Sequence, residues 1–532
     1  MSIGLIFFIT LLIIIRWDSF PFFVDIYYHL SIMEMFDQAG GIVVHDFLQY
    51  APLGRAHLYP PFLHILMLGA YKAGFSVDAI GRLVSSAMFP LTMVASWALM
   101  RKIFGSAESF VTLVLLLSSW QFFYTTAVVS ASALATVLAL AVYYLIYTRR
   151  TLAAIVAMTF CLYSHMSYPH LISLSLVLWA VFDPAFRRHI SRVLAISYAL
   201  FSPWLIVMVM NIDSLVSTSA PGGNLSFNII LVTCALSGIV IALCRYRRGD
   251  YGPILPLVML VSMLPVLLYY PSRFFVHSVV PLAMLGGIGV VSLSRHRPAR
   301  LGRHGVAVGA LAICLIYSLI LAQGFSYDMS LAAGKPLVNA PNQGEAPRPY
   351  DEQGRLPPQP QDGVVYYPGV APRPDYLDEP RSGSLMGGLL ERPTTLYVLI
   401  SGVTLGDPVH ESPEYAHIIE DILETTEQDD VIVTGQGING CIITSYTGRA
   451  TTSGMFHEVG TDDELALRQA IMGEWQSAIG TEGVNMSFTV IDGAYEDDHI
   501  PTAFPYPLAF ILVILGTVLI TYDIRRGKGG GP

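Results

Sequence analysis

The chain has 532 residues, of which 53% are hydrophobic and only 13% are charged, and its formal net charge is −9 at pH 7. Soluble domains carry roughly 25% charged residues, so the composition excludes a soluble enzyme and indicates a protein embedded in a lipid bilayer. The charge is unevenly distributed, because residues 324–503 hold 28 Asp/Glu and 8 Lys/Arg whereas the remaining chain holds 11 and 22. We therefore predict an apolar, basic membrane part and a separate acidic part.

Twelve apolar runs have about the length needed to cross a ~30 Å hydrocarbon core. They lie at residues 2–17, 83–100, 107–128, 131–148, 151–164, 171–183, 193–212, 227–244, 253–268, 276–294, 305–323 and 504–522. With the N-terminus in the cytoplasm, 17 of the 22 basic residues of the membrane part fall on the cytoplasmic side, as the positive-inside rule requires. This topology requires that residues 60–73 do not cross, so we expect an interfacial or re-entrant helix there. The prediction is a multi-pass protein of the cell membrane with both termini in the cytoplasm.

Three parts follow from this topology. Residues 1–323 form a transmembrane domain that includes a first outer loop at 18–80, residues 324–503 form an acidic extracytoplasmic domain, and residues 504–532 form a final transmembrane helix with a basic tail. Within the outer domain, residues 333–393 are rich in Pro, Gly and polar residues, which predicts an irregular tether. Residues 394–503 have an α/β pattern.

The α/β pattern consists of predicted strands and helices in alternation. Strands are expected at residues 395–401, 430–434, 441–445 and 487–492, and helices from Ser412 and near 463–478. In the first helix Ser412 is the expected N-cap with Pro413 at N1, and Ile418, Ile419, Ile422 and Leu423 form its expected buried face.

Glycines at 435, 437 and 440 match the dinucleotide-binding fingerprint in letters. The fingerprint requires a helix directly after it, whereas residues 441–445 read as a strand, so we favour a tight structural turn.

The first outer loop holds an unusual concentration of Asp and His between apolar segments. Its members are Asp18, Asp25, Asp37, Asp46, His29, His45, His57 and His64. Asp25 is flanked by Phe, Val, Ile and Tyr, and partial desolvation there would raise the pKa of its carboxyl group and make it a better base. His29 lies four residues later, on the same face of a helix. The alternative is that Asp25 only caps a helix that starts at Ile26.

The order of motifs in this loop resembles the GT-C superfamily of integral-membrane glycosyltransferases. An acidic residue precedes Tyr27-Tyr28-His29-Leu30, and Tyr59-Pro60-Pro61 and a short apolar helix follow. The resemblance implies a sugar donor linked to a polyprenyl phosphate or diphosphate, used on the outer face, and an extracytoplasmic protein or glycolipid acceptor. It also implies that Asp25 activates the acceptor or helps to hold a divalent cation, Mn²⁺ or Mg²⁺. We expect no nucleic-acid partner.

A second segment extends the resemblance. Residues 272–281, Ser-Arg-Phe-Phe-Val-His-Ser-Val-Val-Pro, are similar to the late-helix segment of oligosaccharyltransferase catalytic subunits, whose Arg binds the lipid-linked phosphate. An Arg binds phosphate bidentately in a low-dielectric site, so the resemblance assigns Arg273 to the phosphate. The alternative is that Arg273 snorkels to the interface. Residues 429–434 and 447–452 also resemble the outer domain of those subunits.

Two departures separate the chain from that family. Where the family has Trp-Trp-Asp-Tyr-Gly, this chain has Thr-Gly-Gln-Gly-Ile-Asn at 434–439, and where the family has a second acidic motif this chain has Ser130-Ala131-Ser132. A metal-independent relative, in the manner of the protein O-mannosyltransferases, is therefore equally compatible. His165 and His170 either bind substrate or cap a pair of helices.

The sequence thus predicts a polytopic α-helical membrane protein of about twelve transmembrane helices, of the GT-C type, with an extracytoplasmic α/β domain. Asp25 is the expected catalytic base and the candidate metal ligand. The residues expected to bind substrate or lipid phosphate are Arg273, His277, His29, Asp46, His57, Tyr59, His165 and His170. Two rival functions remain: a twelve-span transporter, for which mid-membrane charges and repeated halves are typical, and an inactive GT-C relative whose outer domain is a binding module.

Overall fold

A computed structural model of the chain describes residues 1–19, 25–214, 224–269, 271–295, 325–328, 395, 396, 399, 413–434, 437–455, 489–491 and 504–526. The predicted span at 305–323, the predicted tether at 333–393 and the predicted helix near 463–478 lie outside these residues.

The described residues are mostly helical. The helices are α1 (Ser2–Ile15), α2 (Asp25–Gln38), α3 (Phe62–Lys72), α4 (Val77–Ile103), α5 (Ser106–Leu117), α6 (Trp120–Phe123), α7 (Ser130–Tyr147), α8 (Thr151–Leu162), α9 (Tyr168–Phe182), α10 (Pro184–Met210), α11 (Ile229–Arg247), α12 (Ile254–Val261), α13 (Leu264–Tyr269), α14 (Pro271–Arg295), α15 (Pro413–Thr425), α16 (Gly437–Thr447) and α17 (Tyr506–Arg526). A π-helical turn, Tyr124–Val128, follows α6.

The strands are short and form small sheets. They are β1 (Gly41–Ile42), β2 (His45–Asp46), β3 (Arg55–Ala56), β4 (Asn224–Phe227), β5 (Phe325–Asp328), β6 (Val431–Val433), β7 (Ala450–Thr451), β8 (Thr489–Ile491) and β9 (Phe504–Pro505). Antiparallel pairs join β1 to β9, β2 to β3 and β4 to β5. In the outer part the order is β7-β6-β8, with β6 parallel to β7 and antiparallel to β8.

Six of the described helices are long and apolar enough to cross a bilayer, and a bent helix pair makes up to seven. The six are Val77–Ile103, Ser130–Tyr147, Pro184–Met210, Ile229–Arg247, Arg273–Arg295 and Tyr506–Arg525. Other predicted spans correspond to shorter apolar helices such as α1, α8 and α9. The polytopic helical architecture is confirmed, while the count of twelve stays a prediction. Helix α3 has 11 residues, about 16 Å of helix, which is too short to cross the hydrocarbon core.

The predicted span 107–128 is not one continuous helix, because α5 and the helical segment after it meet at an angle of 88°. Side chains from elsewhere in the fold bind the backbone groups that the break leaves without helical partners. Asn228 Nδ2 donates to Ser118 O at 2.6 Å, and Thr395 Oγ1 donates to Ser119 O and accepts the Phe123 N–H. A break at membrane depth is stable only when such partners exist.

The segment that includes Thr395 differs from its prediction. Thr395, Leu396 and Leu399 are helical rather than part of a strand at 395–401, and both leucines belong to the apolar core of the membrane part. The strand prediction was wrong for these residues, because the leucines pack in the core of the membrane part and the Thr395 hydroxyl binds the helix break, which lies far away in the sequence.

The predictions for the outer part are partly confirmed. Helix α15 begins at Pro413, and β6 and β8 lie within the predicted strands at 430–434 and 487–492. Ile422 is buried as expected, whereas Leu423 is exposed, so the predicted face was one residue too wide.

The predicted strand at 441–445 is wrong, because these residues form the middle of α16. Cys441 and Ile442 pack with α2, while Ile443 packs with Ile422 and Ile432, so this helix is buried on opposite sides. A short apolar run of this kind has the same pattern in a buried helix and a buried strand. The helix begins at Gly437 and so contains the second and third glycines of the pattern instead of following them. A β-carbon on Gly440 would collide with the Ser453 carbonyl oxygen, which supports a packing role for that glycine.

Helices α11 and α14 approach each other closely at small residues. A β-carbon on Gly238 of α11 would collide with the Leu285 carbonyl oxygen, and one on Gly289 of α14 would collide with Ser237. Small residues at such crossings let helix backbones pack within the membrane. The position of α14, and of Arg273 near its start, therefore depends on α11.

We predict that Gly238→Ala lowers the free energy of unfolding by roughly 1–3 kcal/mol, because the added methyl group forces the two backbones apart. The measurement is thermal unfolding of the purified protein in detergent. Gly4→Ala is the matched control, since a β-carbon there would meet nothing within 4 Å. Equal melting temperatures for both variants would contradict the close-packing explanation.

Candidate functional site

Three histidines of the first outer loop, His29, His57 and His64, meet in the interior of the fold. His29 on α2 and His64 on α3 are both buried, and His29 Nδ1 lies 2.9 Å from His64 Nε2 in a hydrogen bond. Tyr59 packs edge-on against both rings, with centroid distances of 5.3 Å and 6.0 Å. Helices α2 and α3 thus join residues 35 positions apart into one imidazole pair, and the aromatic residues of the loop enclose it.

His57 extends this pair to a third imidazole. Its ring lies 5.7 Å from the ring of His64 and 6.1 Å from the ring of Trp204 on α10. Trp204 Nε1 donates to Leu58 O at 3.1 Å, which fixes the loop against α10. His57 Nε2 and His64 Nδ1 are buried without a hydrogen-bond partner among the described residues.

Burial keeps these rings neutral. Desolvation lowers the pKa of His57 to about 3, with the charge of Arg55 and the neighbouring His29 acting in the same direction. Burial likewise lowers the pKa of His29 and of His64, and each also lies beside another imidazole of the group. Near neutral pH each ring therefore has one N–H donor and one nitrogen acceptor.

His165, between α8 and α9, links the first loop to the membrane helices. Its ring lies 5.7 Å from the ring of Tyr59, and its Nδ1 accepts the backbone N–H groups of Ser167 and Tyr168, each at 3.2 Å. His165 thus caps the start of α9 through Nδ1, and its Nε2 is not used in this cap. Burial lowers the pKa of His165 to about 3, and the charge of Arg273 contributes. Since Nδ1 is the acceptor, the proton of the neutral ring is on Nε2, which leaves a donor.

Arg273 lies close to His165 at the start of α14. Its guanidinium is 5.4 Å from the ring centroid of Tyr124, the first residue of the π-helical turn. Thr125 Oγ1 in that turn donates to Val276 O at 2.6 Å, which joins the broken helix to α14. π-helical turns are frequent at functional sites.

His277 lies one helical turn after Arg273. Its ring stacks on the ring of Tyr168 at 4.5 Å, and its Nδ1 is buried without a hydrogen-bond partner among the described residues. Arg273 and His277 thus face the α8–α9 turn together.

Asp46 occupies a different place from the histidines. It is fully buried and accepts from Arg55 Nε at 3.3 Å and from the backbone N–H of Gln49 at 3.1 Å. Burial raises the pKa of its carboxyl group, and Arg55 and the Gln49 N–H act in the opposite direction. Arg55 also donates to Met455 O at 2.6 Å and to Gln49 Oε1 at 2.8 Å. In this structure Asp46 orients the arginine that joins the loop to the outer part.

Two further predicted residues lie at the margins. His170 is half-buried on α9, and its Nδ1 is 2.8 Å from the Tyr198 hydroxyl, on the side of α10. Asp25 is the first residue of α2, is partly buried, and lies one helical turn before His29. The structure thus brings together His29, His57, Tyr59, His165, Arg273 and His277, with Asp25 next to them in α2 and with Asp46 and His170 apart.

The described residues do not form a site for a divalent cation. No group of three His, Cys, Asp or Glu side chains among them is arranged to hold a metal ion. At the start of α7, where the resemblance implies a second acidic motif, Ser130 and Ser132 are buried hydroxyls, and Mg²⁺ and Mn²⁺ prefer carboxylates and water.

Some residues of the site carried no assignment from sequence. Tyr124 and Tyr168 contact Arg273 and His277, but single tyrosines in apolar helices give no signal of this. His64 stood among the loop histidines, and its spacing alone did not show that it pairs with His29. Arg55 and Trp204 are also identified only by the fold.

Comparison with known proteins supports the fold. No protein-family model matches the chain, and no curated protein matches it. The apo oligosaccharyltransferase of Archaeoglobus fulgidus is similar over 86% of this chain and 65% of its own, with 11% identity and a TM-score of 0.51. ArnT from Cupriavidus metallidurans bound to undecaprenyl phosphate is similar over 88% of both chains, with 12% identity and a TM-score of 0.49.

The chain has the GT-C fold. At 11% identity the likeness to the oligosaccharyltransferase concerns the fold, and the chain spans 65% of the length of that protein. The resemblance inferred from the first loop and from residues 272–281 is thereby confirmed at the level of architecture.

We predict that His57 makes stability depend on pH. The unfolded imidazole has a pKa near 6.5, so between pH ~6.5 and ~3 the unfolded chain binds a proton that the folded chain does not. Stability therefore falls as the pH falls, by up to about 1.4 kcal/mol per pH unit for this group. His57→Gln should reduce the loss between pH 6.5 and 4.5 by about 2 kcal/mol, measured as thermal unfolding at both pH values.

Gly4→Ala, which changes no titratable group and whose β-carbon would meet nothing within 4 Å, is the control and should keep the wild-type pH dependence. If His57→Gln lost as much stability as the wild type, proton uptake by His57 on unfolding would be excluded.

Proposed function

We propose that the protein is a membrane glycosyltransferase, which transfers a sugar or glycan from a polyprenyl-phosphate or diphosphate-linked donor to an extracytoplasmic acceptor. Arg273, His165 and His29 come from three separate parts of the chain. The strongest support for the proposal is that they lie near one another in a GT-C fold. Arg273 supplies a cation, His165 supplies a neutral N–H donor, and His29 lies on the helix that carries Asp25.

The chemistry of each group fits such a transfer. An acceptor O–H or N–H attacks the anomeric carbon of the sugar, the bond from that carbon to the phosphate oxygen breaks, and the lipid phosphate leaves. Asp25 takes the proton of the acceptor as the base. Arg273 and the Nε2–H of His165 stabilise the negative charge on the leaving phosphate.

The supporting residues have structural tasks in this proposal. His29, His57 and His64 form a neutral wall behind the acceptor side, and Tyr59 keeps His29 and His165 at a fixed separation. His277 lies one turn below Arg273 and presents a further polar nitrogen toward the donor. That this site faces the outer side of the membrane is inferred from the distribution of basic residues along the chain.

We predict that Asp25→Asn reduces transfer by about 10²- to 10⁴-fold, because the amide cannot take a proton. Folding should persist, since Asn serves nearly as well as Asp at a helix start. The measurement is the glycosylation of extracytoplasmic proteins and lipids in cells whose only copy of the gene carries the variant, at matched protein levels.

Asp18→Asn is the control, because Asp18 is an exposed carboxylate of the same outer loop. It should leave glycosylation unchanged. Wild-type glycosylation with Asp25→Asn would return Asp25 to the role of a helix cap and remove it from the mechanism.

We predict that Arg273→Lys weakens the binding of undecaprenyl phosphate by roughly 10- to 100-fold, because a planar fork is replaced by a single ammonium and one charge-assisted hydrogen bond is lost. Binding is measured on the purified protein in nanodiscs. Arg188→Lys, at an exposed position of α10, is the control and should bind as the wild type.

The two ways in which this experiment can fail have different meanings. Equal binding by wild type and Arg273→Lys would make Arg273 an interfacial residue. Absence of binding by the wild type would contradict the glycosyltransferase proposal itself and favour a transporter or a binding module.

A further inference from the structure

A cavity of about 810 Å³ lies at the end of the helix bundle opposite to the candidate site. Helix α4 starts beside the first outer loop and ends at the cavity after 27 residues, about 40 Å of helix. Helix α7 likewise starts at Ser130 and ends at the cavity wall with Tyr147. The volume is in the range of small-molecule sites, roughly 300–1,000 Å³. This cavity is therefore separate from the site around Arg273.

The wall of the cavity is basic. Four cations line it, Lys102, Arg149, Arg150 and Arg245, together with two carboxylates. Each carboxylate already has a partner on the wall or in a helix cap. Asp250 accepts from Arg245 Nε at 2.7 Å, and Asp183 accepts the Ala185 N–H at 3.1 Å at the start of α10.

The remaining cations are not neutralised by the part of the chain that the structure describes. Within those residues neither Lys102 nor Arg149 has a carboxylate partner. The cavity thus holds an excess of two positive charges in a concave space between helices, and that arrangement favours an anion.

Aromatic rings hold Arg149 in place. The Arg149 guanidinium lies 3.9 Å from the ring centroid of Phe186, which in turn packs on Trp179 at 4.6 Å and on Tyr147 at 6.0 Å. Arg150 donates to the Asp523 carbonyl oxygen on α17 at 3.2 Å. Rings at this level are typical of a membrane–water interface, so the cavity lies where lipid headgroups are found.

The backbone at Arg149 has an uncommon conformation. Its φ is +61°, a conformation that favours Gly or Asn and is uncommon for other residues. Arg149, with its long cationic side chain, therefore occupies a position in the turn between α7 and α8 where a glycine would be less strained. The same turn closes α7, because the N–H groups of Arg149 and Arg150 donate to the carbonyl oxygens of Ile146 and Leu145, and it holds Arg149 at the cavity wall.

We propose that this cavity binds the phosphate group of an anionic lipid headgroup, with Lys102 and Arg149 as its principal ligands. Basic pockets between transmembrane helices recognise anionic headgroups by this chemistry. A guanidinium pairs with two phosphate oxygens, an ammonium binds a third, and the aromatic wall contacts the glycerol and the first acyl carbons. This site is independent of the proposed transfer reaction, because it lies at the other end of the bundle.

The test is isothermal titration of the purified full-length protein in uncharged detergent, with short-chain phosphatidylglycerol and, separately, inorganic phosphate at equal ionic strength. The wild type should bind phosphatidylglycerol. The double variant Lys102→Gln/Arg149→Gln should bind it about 10- to 100-fold more weakly, since two charge-assisted contacts are lost. Lys102→Gln alone, at an exposed position, serves if the double variant does not fold.

The matched control is Arg188→Gln/Arg248→Gln, which removes the same charge from exposed positions at this end of the bundle that do not line the cavity. This control should bind phosphatidylglycerol within about threefold of the wild type, because exposed charges contribute little. If the wild type binds inorganic phosphate and the double variant does not, the result would support a phosphate site in the cavity and would identify free anions as its ligand. No binding by the wild type, or equal binding by all variants, would overturn the proposal.

Discussion

The buried guanidinium of Arg55 is the constraint on which the outer half of the protein depends. Removing such a charge from water costs several kcal/mol, which only a nearly complete set of partners offsets. Arg55 obtains these from Asp46, from Gln49 and from the Met455 carbonyl, and the Tyr50 ring covers it at 5.0 Å. Because those partners belong to two distant segments, satisfying one charge fixes the first outer loop against the outer part.

Backbone pairing reinforces the same joint. Thr451 donates its N–H to Leu48 O at 2.8 Å and accepts the Ala51 N–H at 3.0 Å, so the loop adds to the edge of the outer sheet at β7. Strand β1 pairs with β9 just before the last membrane helix. His57 and Tyr59 follow β3 directly, and their positions therefore depend on how well this joint holds.

The sequence predicts those features of the fold that follow from local chemistry. Apolar length located the membrane helices, and Ser412 with Pro413 located the start of α15. Residues with a nonlocal cause were not predictable. Cys441 and Ile442 are helical because α2 covers one side of them, and Thr395 is helical beside a helix break whose carbonyl groups it binds.

The candidate site shows the same division. The loop with Asp25 and His29 and the segment with Arg273 could be identified, because charged and imidazole groups stand out in an apolar chain. Their mutual arrangement could not be predicted, because it depends on an 88° bend at Ser118 and on the close crossing of α11 and α14. Asp46 is an example of what the sequence cannot predict. An aspartate in a polar loop looks the same in the sequence whether its carboxylate faces a substrate or a buried arginine.

The joint between loop and outer part also sets an order for the maturation of the protein. Arg55 and Met455 are 400 residues apart, and at typical rates of synthesis their partners emerge about 20–80 s apart. During that interval the first loop is already synthesised, but Arg55 lacks part of its final set of partners. A chain that ends before Thr451 would keep most of its membrane helices and yet lack the strand on which the loop is built. The joint that positions His57 and Tyr59 is thus built from an early and a late segment, and it forms only after residue 455 has been synthesised.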